Sequence, residues 1–175
     1  MLSERFETGD QNRRHQGGDS LYSTRTRDNR TVLPPTYFLV SLLVMIAVSW
    51  VDPIGRVLPT AGAHLGAILI VAGIGSVLWA HQLFEDAGTT IKPFQRAAAL
   101  VTGGPFRFTR NPMYLGMVIV LVGVALVLRS LLPWVVIPVF VWIIQRRFIV
   151  AEEQALERDF GEIYRDYRES VRRWI

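Results

Sequence analysis

The chain has 175 residues, enough for one domain, and half of them are apolar residues gathered in long blocks, a pattern typical of a membrane protein. The net charge of +4 comes from basic residues outside these blocks. This distribution indicates membrane orientation and contact with lipid headgroups rather than nucleic-acid binding. The absence of cysteine excludes disulfides and iron–sulfur clusters, and the three histidines are too far apart to suggest a metal site.

The chain predicts a polar tail followed by four membrane helices. Residues 1–31 show no apolar periodicity, so we expect a flexible tail ahead of a membrane domain at 32–175. The apolar blocks predict membrane spans at about 35–51, 62–84, 112–128 and 131–150. At about 1.5 Å per residue the shortest span approaches the roughly 30 Å of a bilayer core. The predicted fold class is therefore all-α, an integral-membrane helical bundle of about four transmembrane helices.

The distribution of arginine predicts the orientation of this bundle. The tail, the 85–110 loop and the segment after the last span are rich in arginine, whereas the 52–61 loop and the 129–130 turn carry one arginine each. By the positive-inside rule both termini lie in the cytosol. We therefore expect an integral protein of the plasma (inner) membrane.

The segment 151–171 is polar but periodic. Apolar residues recur at helical spacing on one face while charged residues occupy the other, a pattern that predicts a cytosolic amphipathic helix. This helix is expected to cover the cytosolic face of the bundle or to lie on the membrane. Gly161 weakens it locally.

A cationic loop leads into the third apolar block. Pro112 suits the first position of a helix and Asn111 is a good N-cap. With Arg107 and Arg110 beside the free N–H groups of the first helical turn, the loop is suited to bind an anion. A simple positive-inside anchor explains the same residues equally well.

Two further features are expected near the cytosolic end of the bundle. Gly73 and Gly75 in the second block allow close approach either of another helix or of a ligand. At the end of the fourth block, Arg147 stands five and six residues before Glu152 and Glu153. On a continuous helix this spacing does not favour local pairing of either carboxylate with Arg147.

Taken in order, these motifs resemble the isoprenylcysteine carboxyl methyltransferase superfamily, which includes phospholipid methyltransferases such as phosphatidylethanolamine N-methyltransferase. The shared elements are the 104–116 stretch Gly-Pro-Phe-Arg-x-Thr-Arg-Asn-Pro-Met-Tyr-Leu-Gly, the later Glu-Glu, the Phe-Gly-x-x-Tyr-x-x-Tyr at 160–167, and Gly-Ile-Gly at 73–75. The resemblance covers about residues 62–171. Arg-Asn-Pro at 110–112 differs from the Arg-His-Pro common in the isoprenylcysteine branch.

The resemblance implies an integral-membrane methyltransferase that uses S-adenosylmethionine and acts at the cytosolic interface on a lipid-like or prenylated acceptor, by carboxylate O-methylation or headgroup N-methylation. Membrane lipids are the other expected partners. The cofactor-binding residues that it implies are Gly73, Gly75, Arg110, Asn111, Pro112, Met113, Tyr114, Glu152 and Glu153. The implied catalytic residues are Arg147, which fixes a carboxylate acceptor, and Glu152, which takes a proton from an amine acceptor.

Two other classes stay open. Some membrane sterol reductases resemble this superfamily in their C-terminal half and use NADPH. A small scaffold or permeation protein is the non-enzymatic alternative, although no predicted span carries a charge in mid-bilayer to mark an ion path.

Overall fold

A computed structural model of the chain describes residues 33–52, 58–88 and 99–175. These residues form α-helices and no strand. The helices are α1 Pro34–Trp50, α2 Thr60–Asp86, α3 Pro112–Leu128, α4 Pro133–Ile144, α5 Val150–Phe160 and α6 Glu162–Ser170, with a 3-10 turn at Gly104–Arg107 and a π-helical segment at Gln145–Ile149. The predicted all-helical membrane bundle is thus confirmed, while the predicted tail lies outside the described residues.

The first three apolar helices agree closely with the predicted spans. Within the described ranges, α2 and the continuous Pro133–Phe160 helix are long and apolar enough to cross a membrane. The helices α1 and α3 have 17 residues each, about 26 Å at 1.5 Å per residue. Proline at the first or second position starts α1, α3 and α4, where its missing N–H costs no hydrogen bond.

The prediction of one amphipathic helix over 151–171 is wrong in its boundaries. The π-helical segment joins α4 directly to α5, so the fourth helix continues to Phe160. Gly161 then adopts φ 55°, ψ −120°, a conformation that L side chains avoid, and it separates α5 from α6. The break lets α6 leave the direction of the long helix.

Four glycines bring α2 and α3 into backbone contact. A Cβ on Gly66 would lie 2.5 Å from the carbonyl oxygen of Gly123, and a Cβ on Gly73 would lie 2.7 Å from that of Gly116. On each helix the two glycines are seven residues apart, so they lie on one face. In lipid, where burial of apolar side chains drives helices together only weakly, such close packing holds a pair of helices.

The hydrophobic core lies on the other side of α3, where α3 packs with α1, α4 and the π-helical segment. Met45, Leu121, Ile144 and Ile149 are fully buried there and Phe140 nearly so. Large apolar side chains of α2 such as Ile68, Val71 and Leu78 point outwards. A bundle that is apolar both inside and outside matches a lipid surrounding.

One end of the bundle is held by a short polar network. The Asp52 carboxylate accepts hydrogen bonds from the hydroxyl of Ser130 and from the backbone N–H of Leu131 at 3.2 Å, close to the start of α4. Arg129, in the left-handed conformation at φ 59°, donates from Nε to the carbonyl oxygen of Leu58 at 2.7 Å. The opposite end gathers the 103–111 loop, α5, α6 and residues 171–175.

Candidate functional site

The 103–111 loop is pinned against the end of α2. Gly104 has φ 56°, and a Cβ there would meet Leu83 at 2.7 Å and Trp79 at 3.3 Å, so glycine permits both the turn and the approach. The ring of Phe106 packs edge-on against Phe84, with 5.3 Å between centroids. The cationic loop is therefore held at a defined depth beside α2.

Residues 171–175, which we name the strap, lie along this loop. The backbone N–H of Arg110 donates to the carbonyl oxygen of Arg172 at 3.0 Å. The carbonyl oxygen of Arg173 accepts from the Thr109 hydroxyl at 3.1 Å and from the Asn111 side-chain amide at 3.0 Å. The start of α3 is thus tied to a segment more than 60 residues later in the chain.

The role predicted for the Asn111 side chain at the helix start is not observed. Asn111 does occupy the N-cap position of α3, but its side chain makes no capping hydrogen bond and instead binds the strap. Consequently no side chain at the N-cap occupies the N–H groups of Met113 and Tyr114 at the second and third positions of the helix.

Glu153 is a buried carboxylate held between two guanidinium groups. Arg173 contacts both of its oxygens, with Nε at 3.0 Å and Nη2 at 2.5 Å. Arg110 contributes a third contact, from Nη2 at 3.1 Å. The hydrogen bond to Glu153 raises the pKa of Arg173, so this guanidinium stays charged. Burial of a carboxylate between two partners in this way satisfies its charge.

Arg110 itself is deeply placed and only partly paired. Its side chain is 10% exposed, and its Nη1 reaches the carbonyl oxygen of Arg168 only at 3.5 Å. Among the described residues its Nε is a buried nitrogen without a hydrogen-bond partner. A buried donor left unpaired costs about 1–3 kcal/mol, so a site of this kind favours a ligand that supplies an acceptor.

Glu152 has a different partner from that of Glu153. One of its carboxylate oxygens accepts a hydrogen bond of 2.7 Å from the hydroxyl of Tyr114 on α3. No described residue donates to its second oxygen. The two adjacent carboxylates therefore differ, since Glu153 is enclosed by guanidinium groups and Glu152 keeps an acceptor available.

Two tyrosines of α6 complete this region. The hydroxyl of Tyr167 donates to the carbonyl oxygen of Phe106 at 2.7 Å, and burial raises the pKa of Tyr167 to about 12, so it remains a donor at neutral pH. Tyr164 is 1% exposed, and burial and the neighbouring Glu153 raise its pKa while Arg110 opposes this shift. Through Tyr167, α6 is thus fixed to the 103–111 loop.

A cavity opens among these elements, with about 550 Å³ of empty space that includes its open mouth. Its wall combines aromatic and aliphatic side chains with two carboxylates, one guanidinium and one amide. The lining residues are Phe84, Ala99, Leu100, Val101, Phe106, Arg110, Asn111, Glu152, Glu153, Leu156, Tyr164 and Tyr167.

The structure brings together four of the predicted site residues, Arg110, Asn111, Glu152 and Glu153, in the wall of this cavity. Tyr114 lies behind the wall and supports Glu152, while Pro112 and Met113 start α3 without lining the cavity.

Three other predicted residues are not part of the wall. Gly73 is occupied in packing against α3, and a Cβ on Gly75 would meet open space. The guanidinium of Arg147, an exposed residue of the π-helical segment, donates to the hydroxyl of Tyr37 on α1 at 3.0 Å. Glu152 and Glu153 have Tyr114 and Arg173, respectively, as hydrogen-bond partners.

The sequence reasoning missed the strap, and above all Arg173. Its only signal in the sequence is the run Arg-Arg-Trp at 172–174 directly after an amphipathic helix. It also missed the aromatic residues Phe84 and Phe106, which it interpreted only as membrane and loop residues. Periodicity within one helix cannot indicate which residue of a distant segment will face a carboxylate.

Comparison with known proteins identifies the family. An uncharacterised protein of Haemophilus influenzae is 38% identical over 63 residues, which make up 36% of this chain and the whole of that protein. A family model described as phospholipid methyltransferase matches residues 62–163, a range that begins in α2, contains the 103–111 loop and both glutamates, and ends in α6. Because this match covers more than half of the 175 residues, the chain belongs to the phospholipid methyltransferase family, membrane methyltransferases of lipid-like substrates.

Proposed function

We propose that the cavity binds S-adenosylmethionine and that the protein transfers a methyl group from it to a lipid-like or prenylated acceptor. The observation that carries this proposal is that Arg110, whose buried Nε is unpaired, and Glu152, with an available oxygen, both line one cavity. The methionine part of S-adenosylmethionine carries an α-carboxylate and an α-ammonium, so it needs a cation and an anion close together.

The residues fit the parts of this cofactor in a simple way. Arg110, whose Nε is unpaired, would bind the α-carboxylate. Glu152 accepts from the α-ammonium with the oxygen that Tyr114 does not occupy. The adenine stacks among the aromatic side chains of the wall, a role that replaces the one predicted for Gly73 and Gly75.

When bound, the cofactor supplies a sulfonium methyl group, whose transfer depends mainly on proximity and alignment with the acceptor. Glu152 adds a negative charge beside the site of that sulfonium. For an amine acceptor it also takes or relays the proton that must leave, whereas a carboxylate acceptor needs no base. The aromatic wall and α6 would shield part of the bound cofactor from water.

We further propose that the acceptor enters from the bilayer with its head at the cytosolic interface. The support is the apolar outer surface of the bundle and the concentration of arginines at the end that holds the cavity. Arg147, exposed at the same end, contacts the head of the acceptor from outside the cofactor cavity. Reporter fusions after Arg30, Thr60, Gln95 and Ile175 test the orientation, and an external signal at Gln95 would refute it.

Binding of S-adenosylmethionine and of NADPH to the purified protein in detergent distinguishes a methyltransferase from a reductase-like protein and from a scaffold. We expect saturable binding of S-adenosylmethionine alone, and its loss in Glu152→Gln. Asp159→Asn, an equivalent change on the exposed side of α5, is the matched control and should bind normally. Binding of NADPH only, or of neither, would refute the proposal.

The reaction itself is tested by radiolabelled methyl transfer into lipids extracted from the native membrane. We expect label in the lipid fraction. Label found only in water-soluble products would contradict a lipid-like acceptor.

A further inference from the structure

We propose that Arg173 of the strap is a positioning residue of the cofactor cavity, which keeps Arg110 available to the carboxylate of the ligand by occupying Glu153. The inference rests on the proposed function and assigns to it a residue outside the segment matched by the family model. Its basis is the way in which two arginines share one buried carboxylate.

The sharing is unequal. Arg173 makes the bidentate contact, with Nε on one Glu153 oxygen at 3.0 Å and Nη2 on the other at 2.5 Å. Arg110 reaches only the first oxygen, through Nη2 at 3.1 Å, and its Nε stays unpaired although its side chain is nine-tenths buried. A planar guanidinium is suited to bidentate contact with a carboxylate, so the arginine that lacks it here has been displaced from a favourable partner.

Loss of Arg173 removes this competition. Glu153 would then be free to accept from both Nε and Nη2 of Arg110, and the donor left for the ligand would be consumed inside the protein. The change in local charge on loss of Arg173 would also weaken binding of the ligand carboxylate. Arg110, Arg173 and Glu153 together carry one net positive charge, whereas Arg110 and Glu153 alone carry none. A cavity without net positive charge binds a ligand carboxylate less well.

The backbone holds Arg173 in place independently of its side chain. Its carbonyl oxygen accepts from Thr109 and Asn111, and the next residue, Trp174, donates from its indole to the side-chain oxygen of Gln145 at 3.0 Å while packing on the hydrophobic core. The strap is thus attached to the 103–111 loop and to the hydrophobic core close to Arg173, and these contacts place the Arg173 side chain at Glu153. A change of the side chain alone can therefore be tested with the strap still attached.

The test compares two ligands that differ in one group, S-adenosylmethionine and its decarboxylated form, which lacks only the α-carboxylate. Calorimetric titration of the full chain in detergent gives the ratio of the two affinities. For the unchanged protein we expect a preference of about ten- to a hundredfold for S-adenosylmethionine, the range of one charge-assisted contact. Arg173→Met should lower this preference about tenfold, with affinity for the decarboxylated ligand nearly unchanged.

A double variant separates positioning from a structural role. In Arg173→Met with Glu153→Gln the competing carboxylate is gone and the local charge returns to +1, so the preference should return towards that of the unchanged protein. If Arg173 had only a structural role, the second substitution would lower the preference for S-adenosylmethionine further. Should the methionine variant not fold, Arg173→Lys, which keeps the charge but not the fork, should still lower the preference a fewfold.

The outcomes are distinct. Equal weakening of both ligands by Arg173→Met, an unchanged preference in the variant that folds, or failure of the double variant to regain preference would overturn the role of Arg173 alone. Absence of S-adenosylmethionine binding, or of any preference over the decarboxylated ligand, in the unchanged protein would overturn the proposed carboxylate site and this inference with it.

Discussion

The glycine pair in α2 offers a test of how tightly the bundle is packed. Gly73 and Gly75 are two residues apart in the same helix, yet a Cβ on Gly73 would lie 2.7 Å from the carbonyl oxygen of Gly116 and 2.7 Å from a methyl group of Val120, while a Cβ on Gly75 meets nothing within 4 Å. The obstacle at Gly73 includes backbone, so α2 and α3 must move apart to admit Gly73→Ala.

The two alanine variants share the gain in helix propensity, up to about 1 kcal/mol, so their difference isolates the packing cost. Insertion of a methyl group into a well-packed contact typically costs about 1–3 kcal/mol. We therefore expect the free energy of unfolding of Gly73→Ala to be about 1–3 kcal/mol lower than that of Gly75→Ala. Gly75→Ala should be as stable as the unchanged protein or more stable.

Reversible unfolding in mixed detergent micelles with increasing dodecyl sulfate measures this difference, and titration with S-adenosylmethionine on the same samples measures binding. Equal unfolding free energies for the two variants would refute the packing argument. Loss of cofactor affinity in Gly75→Ala at unchanged stability would show instead that the glycine pair approaches the ligand, as the sequence motif suggests.

Three further predictions concern the cavity and its surroundings. Tyr114→Phe removes the 2.7 Å hydrogen bond that orients Glu152 and should weaken S-adenosylmethionine binding about tenfold by calorimetry, while unchanged or tighter binding would contradict this role. Arg147→Ala should retain cofactor binding yet lose methyl transfer to extracted lipids, whereas the neighbouring Arg146→Ala should keep both. Loss of cofactor binding in Arg147→Ala would contradict a role of Arg147 in holding the acceptor. Because burial raises the pKa of Tyr167 from 10.0 to about 12, its contribution to stability is complete below pH 10 and is lost as pH rises towards 12. Tyr167→Phe should therefore flatten the fall of thermal stability over that interval, and parallel curves would contradict the assignment.

The membrane helices could be predicted well because each depends on local composition. The third span agrees with α3 at both ends, since Pro112 starts it and the turn at Arg129 ends it. The last segment was predicted less well. Periodicity showed an amphipathic helix, but only the structure showed that the π-helical segment continues α4 into α5 and that Gly161 breaks the helix.

The candidate site, too, could be predicted only in part. Residues that lie within one motif, Arg110 with Asn111 and Glu152 with Glu153, could be expected near each other from the order of the motifs. Their partners could not be predicted, since the residue that pairs with Glu153 is Arg173 of the strap. Likewise Gly73 and Gly75 look equivalent in the sequence, and only their orientation towards α3 distinguishes them.

The sequence by itself determined the all-helical class, the positions of the apolar helices and the identity of the motifs that carry the family resemblance, because these follow from hydrophobic blocks, proline positions and local spacing. Tertiary structure alone decided that the strap returns to the 103–111 loop, that Tyr114 supports Glu152 and that Arg173 takes both oxygens of Glu153. The physical reason is that hydrophobic burial and helix formation depend on neighbouring residues, whereas a buried charge is satisfied by whichever partner the packed chain brings within about 3 Å, however distant it is in sequence.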